Sequence, residues 1–252
     1  MGNSGSHTNE TMNWTIERIV NKLLEIENKG FLTIPPEMYR RDEGVVGQIL
    51  EREFGVQENN LSIRDLGTFE LKAMRLGSQT LTLCHKTPSE GMTPIQIFDR
   101  FGYVRPSHRD PAVQKKKLFT TVKGTTNNNL GFILRSDTDN TIDMFYNDEF
   151  ICRWELTEQL EKIDKLILTL AETQGSVNSR NESFHYVKAN IFDGLKNLSR
   201  LVNEGTIVID FCIDQALDSD RGPHDRGPHI RIPTSKLPRA YNSVTTLLDF
   251  TI

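Results

Sequence analysis

The chain has 252 residues, 37% of them hydrophobic, which suits a folded globular protein with one sizeable core or two small lobes and excludes a disordered polymer. Its apolar runs, such as 166–170 and 207–209, fall far short of the roughly 20 residues a membrane-spanning helix needs; the polar opening, residues 1–12, reads as a flexible leader rather than a signal peptide, so a cytoplasmic protein is expected. The formal net charge of −4 excludes a uniformly basic surface of the kind that coats nucleic acid.

In chain order, apolar residues at helical spacing predict a helix over 13–29, stopped by Gly30, and a second over 44–54. Strand-like runs at 61–64 and 68–74 flank a turn at Leu66-Gly67, and a third follows at 80–85. A short helix near 94–101 leads into a basic segment and a loop tip at 125–129. Strands are predicted near 131–134, 141–146 and 150–154, then a helical turn over 155–164 and a buried strand over 166–171. A polar loop at 172–181, an aromatic strand at 184–188, a helix over 191–203 and a strand over 206–213 come next. The local duplication Arg221-Gly-Pro-His224 and Arg226-Gly-Pro-His229 reads as a hairpin-like stretch. The class is α/β, or α+β, with a central mixed sheet flanked by helices.

Charge is distributed unevenly. Residues 100–124 hold seven bases (Arg100, Arg105, Arg109, Lys115, Lys116, Lys117, Lys123) against Asp110 alone, whereas 137–164 hold nine acids and two bases. One polyanion-facing side would produce that pattern, and so would an ordinary solvated charge run. The cysteines Cys84, Cys152 and Cys212 form no CxxC pair and read as buried thiols rather than metal ligands. No phosphate-cradling GxxxxGK[ST] loop is present.

Asp65-x4-Glu70-x-Lys72 has the form of the PD-(D/E)xK nuclease site. Residues two apart on a strand face one side, so Glu70 and Lys72 project together while Asp65 approaches from the turn. Two carboxylates make a hard oxygen site for Mg²⁺, and an ammonium beside them can orient water and balance charge on a phosphorane. Glu27-x-Lys29 repeats the short part of the motif on a predicted helix with no aspartate upstream, so it serves as an internal decoy. Glu51 is either a further ligand, an orienter of Lys72, or a solvated helix residue.

The stretches Asp42-Glu-Gly-Val-Val-Gly-Gln-Ile-Leu-Glu51, Phe54-Gly-Val-Gln-Glu-Asn-Asn60, Asp65-Leu-Gly67 and Phe69-Glu-Leu-Lys72 closely resemble the catalytic region of the MvaI/BcnI family of type II restriction endonucleases, on its BcnI side. The likeness continues through Leu81-Thr-Leu-Cys-His-Lys86, Ile95-Gln-Ile-Phe98, Arg100-Phe-Gly-Tyr-Val104, Lys115-Lys-Lys-Leu-Phe-Thr-Thr121 and Gly222-Pro-His-Asp-Arg-Gly-Pro-His229, nearly the whole chain after Met12. It weakens at 76–78 and 135–140. The resemblance implies a monomeric, Mg²⁺-dependent enzyme of the PD-(D/E)xK superfamily, MutH-like in fold, with two subdomains gripping double-stranded DNA as a clamp. A catalytic lobe over about 13–125 and a DNA-recognition lobe over about 126–252 are expected.

By the same resemblance Glu51, Asp65, Glu70 and Lys72 are the catalytic positions, Asp65 and Glu70 holding the metal. The expected DNA contacts are His85, Lys86, Lys115, Lys116, Lys117, Asp210, His224, Asp225, Arg226, His229 and Arg231. In isolation His85 and His229 read as structural or solvent-facing; in the family their counterparts face the middle base pair. A CCSGG-type site, 5′-phosphate ends and a cognate DNA methyltransferase as functional partner are also implied. Two other readings remain open: a MutH-like strand-nicking repair endonuclease, and a non-cleaving DNA-binding module of the same fold.

Overall fold

Thr15 opens the first helix by accepting the backbone N–H of Arg18 on its side chain at 3.3 Å, a cap of the kind that contributes about 1 kcal/mol. Helix α1 (Ile16–Asn28) buries Ile19, Leu23 and Ile26, each contributing roughly 1.5–3 kcal/mol by leaving water. Gly30, at φ 69°, ends its hydrogen bonding in the left-handed conformation that glycine adopts without strain.

This is a computed structural model describing residues 14–38, 42–56 and 64–251. The leader and most of the strand expected at 61–64 lie outside the described residues. After α1 come β1 (Leu32–Thr33), α2 (Val45–Glu53), β2 (Glu70–Arg75), β3 (Thr80–His85), β4 (Glu90–Gly91), α3 (Pro94–Phe101), β5 (Tyr103–Pro106) and β6 (Gln114–Val122). Then follow β7 (Phe132–Arg135), β8 (Thr141–Tyr146), β9 (Glu149–Glu155), α4 (Thr157–Ile163), β10 (Lys165–Gln174), β11 (Ser183–Leu195) and α5 (Leu198–Asn203). The chain closes with β12 (Val208–Ala216), β13 (His224–Asp225), β14 (His229–Pro233), α6 (Leu237–Ala240) and β15 (Tyr241–Asp249). No helix among the described residues is long and apolar enough to cross a membrane.

The elements build a mixed α+β fold. One sheet runs β1-β11-β10-β2, with β15 also paired to β11; β10 and β2 are parallel, while β1 and β11 are antiparallel. A second runs β3-β14-β12-β6-β5 with β13 on β12, and a third runs β4-β9-β8-β7. The helix expected over 191–203 is half strand: β11 continues to Leu195 before α5 begins at Leu198. Ile191 and Phe192 are buried there, and Gly194 at φ 71° leaves space that Asn242 fills, so packing overrides local helical spacing. Only Cys152 is a fully buried thiol; Cys84 and Cys212 are half-buried.

The chain forms two compact units, residues 1–76, 166–191 and 246–252 in the first, 77–165 and 192–245 in the second. The sequence reading draws consecutive lobes meeting near residue 125. The compact units are interleaved along the chain, because β10 and the start of β11 return to pair with β2 and β1. In the first unit α1 and α2 share one core with Leu66, Leu71, Ile167, Phe184 and Tyr186. In the second, Leu118, Phe132, Ile142, Trp154, Phe211 and Ile213 are buried, and the Trp154 indole donates to the Lys86 carbonyl at 3.0 Å.

Candidate functional site

Glu70, Lys72 and Asp65 meet in the first unit. Strand β2 pairs with β10 over six residues, from Leu166↔Glu70 to Ala171↔Arg75, which turns Glu70 and Lys72 to one face and Leu71 and Ala73 to the core beneath α2. Just before β2, a bridge between Leu66 and Phe69 closes a tight turn with Gly67 at φ 67°. That turn folds Asp65 back, so its Oδ2 accepts the Leu71 backbone N–H at 3.1 Å, one residue from Glu70. Glu70 is 5% exposed, and its Oε1 lies 3.5 Å from the Lys72 ammonium.

Glu51 lies near the C-terminal end of α2, in the same unit and partly exposed. Its Oε1 runs back along the helix to within 3.7 Å of where a side chain on Gly47 would begin. The pKa of the buried Tyr186 phenol is raised first by burial and then by the negative charges of Glu53 and Glu51. Among the described residues no group of three or more Asp, Glu, His or Cys stands in metal-binding reach, so Glu51 does not join Asp65 and Glu70 in one cluster.

The second unit carries a polar sheet face. Cross-strand partners point to the same side, and the register aligns Asp210 with Thr121 and His229, Cys212 with Phe119, and Asp214 with Lys117. His229 in turn pairs with His85, their rings edge to face at 4.4 Å. An irregularity between Ile230 and Arg231 moves the β3 register by one residue, so Arg231 faces Thr82 and donates to its hydroxyl at 3.1 Å. Without it His85 and Thr82, three residues apart, would lie on opposite faces.

Charges on this face are paired. Arg231 donates to Asp210 Oδ2 at 2.9 Å, and Lys115 to Asp214 Oδ1 at 2.8 Å. Among the described residues Asp210 Oδ1 is shielded from solvent without a hydrogen-bond partner, while the side chain as a whole is 19% exposed. The His229 pKa is pushed down to about 4, first by burial and then by the neighbouring His85 and Arg231 charges, so the ring is neutral near pH 7.

The lysine run splits. Lys115 and Lys117 share the face of Asp214, whereas Lys116 points to the other side, where it donates to the Asp99 carbonyl at 2.8 Å and lies over Phe98. Lys117 donates to the Pro106 carbonyl at 2.9 Å. Arg100 forms two 2.7 Å bonds with Glu149, so the basic and acidic segments partly neutralise each other. His224 and Asp225 form β13, paired antiparallel to β12 opposite Asp214 and Ile213; Asp225 caps the turn by accepting from Gly227 N at 2.8 Å, and Arg226 is exposed. Lys86 is partly exposed, and its charge adds a smaller share to the lowered pKa of Glu155, which hydrogen bonds from Thr157 chiefly produce.

The sequence reading missed Asp214, Thr82 and Phe119. Period-two alternation through Val208-Ile-Asp-Phe-Cys-Ile-Asp214 places Asp214 beside Asp210 and was the signal available for it. Thr82 depends on the bulge and carries no sequence signal.

A family model described as the MvaI/BcnI restriction endonuclease family matches residues 20–241. Among solved structures, the fold is similar to one described as a restriction endonuclease MvaI-cognate DNA substrate complex, at TM-score 0.69 and 21% identity over 92% of this chain and 98% of that one. MvaI in the absence of DNA aligns at TM-score 0.46 and 21% identity over 91% and 96%. No curated protein sequence gives a match.

Proposed function

The chain belongs to the MvaI/BcnI restriction endonuclease family and is a type II site-specific deoxyribonuclease, and we propose that it hydrolyses phosphodiesters of double-stranded DNA at a CCSGG-type site through Asp65, Glu70 and Lys72. The observation carrying this assignment is the 3.1 Å bond from Leu71 N–H to Asp65, which sets a second carboxylate beside Glu70.

The donor set fits Mg²⁺. This ion takes few protein carboxylates and keeps several waters, so Asp65 and Glu70 suffice without a third protein ligand. Asp65 and Glu70 would hold such a cation, which would supply charge neutralisation of the phosphate and activation of water. The protein's own groups do the rest. The Leu71 N–H holds Asp65 in place through its charged form, and burial of Glu70 strengthens its attraction to cations. Lys72, with three N–H donors 3.5 Å from Glu70, orients the attacking water and stabilises negative charge gathering on the phosphoryl oxygens; water forms the new P–O bond as the P–O3′ bond breaks, leaving a 5′ phosphate and a 3′ oxygen that is protonated from solvent to a hydroxyl. Glu51 is assigned as an orienter of this group from the helix packed on β2.

The second unit is assigned to reading bases. Arg231 supplies donors for guanine O6 and N7, the exposed part of the Asp210 carboxylate supplies an acceptor for cytosine N4, and Lys115 lies along the phosphates. His85 and His229 present imidazole N–H groups to the central pair. Lys86, Lys117, His224, Asp225 and Arg226 are placed along the same duplex, with a monomer as the acting unit and a cognate methyltransferase protecting host sites. The test is to digest a plasmid of known sequence with Mg²⁺ and map the ends. Discrete double-strand breaks within CCSGG carrying 5′ phosphates support the reading; nicks alone would favour the MutH-like alternative, and ends at unrelated sequences would overturn the site.

A further inference from the structure

Among the described residues β2, the strand that carries Glu70 and Lys72, is laddered to β10 alone. Its sequence, Glu-Leu-Lys-Ala-Met-Arg, contains no β-branched residue and suits a helix as well as a strand. Its far end is held by Arg75. Arg75 is 8% exposed, and its guanidinium forms a fork with Glu182, itself 1% exposed, through bonds of 2.6 and 2.9 Å. It also donates to Glu43 at 2.6 Å and to the Asn178 side chain at 3.0 Å, with the Phe184 ring 5.6 Å away.

Asn178 closes the network, giving its backbone N–H to Glu182 at 2.8 Å and its amide to Glu43 at 3.1 Å. Glu43 stands one residue before the Gly44 cap of α2, where the Asp42 side chain accepts from Gly44 N at 2.9 Å. Three segments, the end of β2, the entry to α2 and the loop before β11, therefore close on one cation, all within the first unit. Burying such a cluster costs more desolvation than its attraction reliably returns, and the best-attested use of buried charge is to select one register.

The geometry points to Arg75 as a positioning residue: its fork with Glu182 ties β2 to the loop before β11 and its bond to Glu43 ties β2 to the entry of α2, so that Glu70 and Lys72 keep their places. This rests on the assignment of Glu70 and Lys72 to cleavage.

Two variants test it. Glu43→Ala removes a side chain that is 75% exposed, and Arg75→Lys keeps the charge but loses the fork. Three measurements are needed: amide hydrogen exchange in metal-free protein, binding of a CCSGG duplex without metal, and single-turnover cleavage with enzyme in excess. Positioning predicts faster exchange at Leu71 to Ala73 and cleavage slowed roughly 10- to 100-fold, with duplex binding unchanged. Wild-type exchange and wild-type single-turnover rate in Glu43→Ala would overturn it, whatever the thermal midpoint, and would leave the cluster a stability element. Should Arg75→Lys fail to fold, Glu43→Ala decides alone. A Glu70→Gln protein that still cuts would instead remove the cleavage assignment, an outcome separate from the exchange result.

Discussion

His85 and His229 meet edge to face, ring centroids 4.4 Å apart at 84°, on adjacent antiparallel strands where their backbones are direct partners. An odd-length site breaks two-fold symmetry at its centre, so a reader must accept one pair in both orientations. In the major groove the middle position is the guanine O6 acceptor for G·C and C·G alike, and the adenine N6 donor for A·T and T·A. An imidazole N–H therefore accepts S and opposes W. His85→Ala and His229→Ala are expected to cut CCSGG more slowly and to lose roughly 1–3 kcal/mol of discrimination per contact. Duplexes differing only at the central pair measure this; wild-type protein cutting CCAGG as fast as CCGGG would sink the proposal.

The same pair has a pH signature. Burial, then the charges of His85 and Arg231, hold the His229 pKa at about 4, below the roughly 6.5 of an unfolded histidine; Asp210 pulls it upward and Arg226 downward. Between those values the unfolded chain binds a proton that the folded chain does not, so this group's stability contribution is complete above about 6.5 and is lost as pH falls through about 4. An NMR titration of the ring should show a midpoint near 4. A midpoint near 6.5 would show that the ring lacks this environment.

Lys115 and Lys117 share one face and Lys116 lies on the other, tied to Asp99. Replacing Lys115 or Lys117 with alanine should weaken binding to all duplexes and lower the slope of log K against log salt by about one unit per lost phosphate contact. Lys116→Ala should leave the slope unchanged. Equal effects from all three would return the run to a general charge effect.

One cleavage centre in a monomer cuts one strand per engagement. Nicked plasmid should therefore accumulate before linear product, and sedimentation should show a monomer at working concentration. Concerted cutting by a stable dimer would contradict both expectations.

Much of this architecture was legible because local signals agreed with packing. Residues 94–101 carry a Thr93/Gln96 capping box and proline at the start, and α3 occupies those residues. Residues 191–195 misled because their helical spacing was overruled by partners distant in sequence. The candidate site of Asp65, Glu70 and Lys72 was legible as a spacing, but β2 exists through its pairing with β10, nearly a hundred residues later in the chain. Glu182 and Asn178, which pin Arg75 from 107 and 103 residues away, left no sequence trace.

The central claim is that Asp65, Glu70 and Lys72 cut DNA, and matched charge removals on one plasmid substrate address it most directly. Glu70→Gln and Asp65→Asn should abolish cleavage in Mg²⁺ while binding of the CCSGG duplex persists, and Lys72→Ala should slow cutting by several orders of magnitude. Glu27→Gln, the decoy on α1, should cut as wild type does. Full activity in Glu70→Gln or Asp65→Asn would contradict the account.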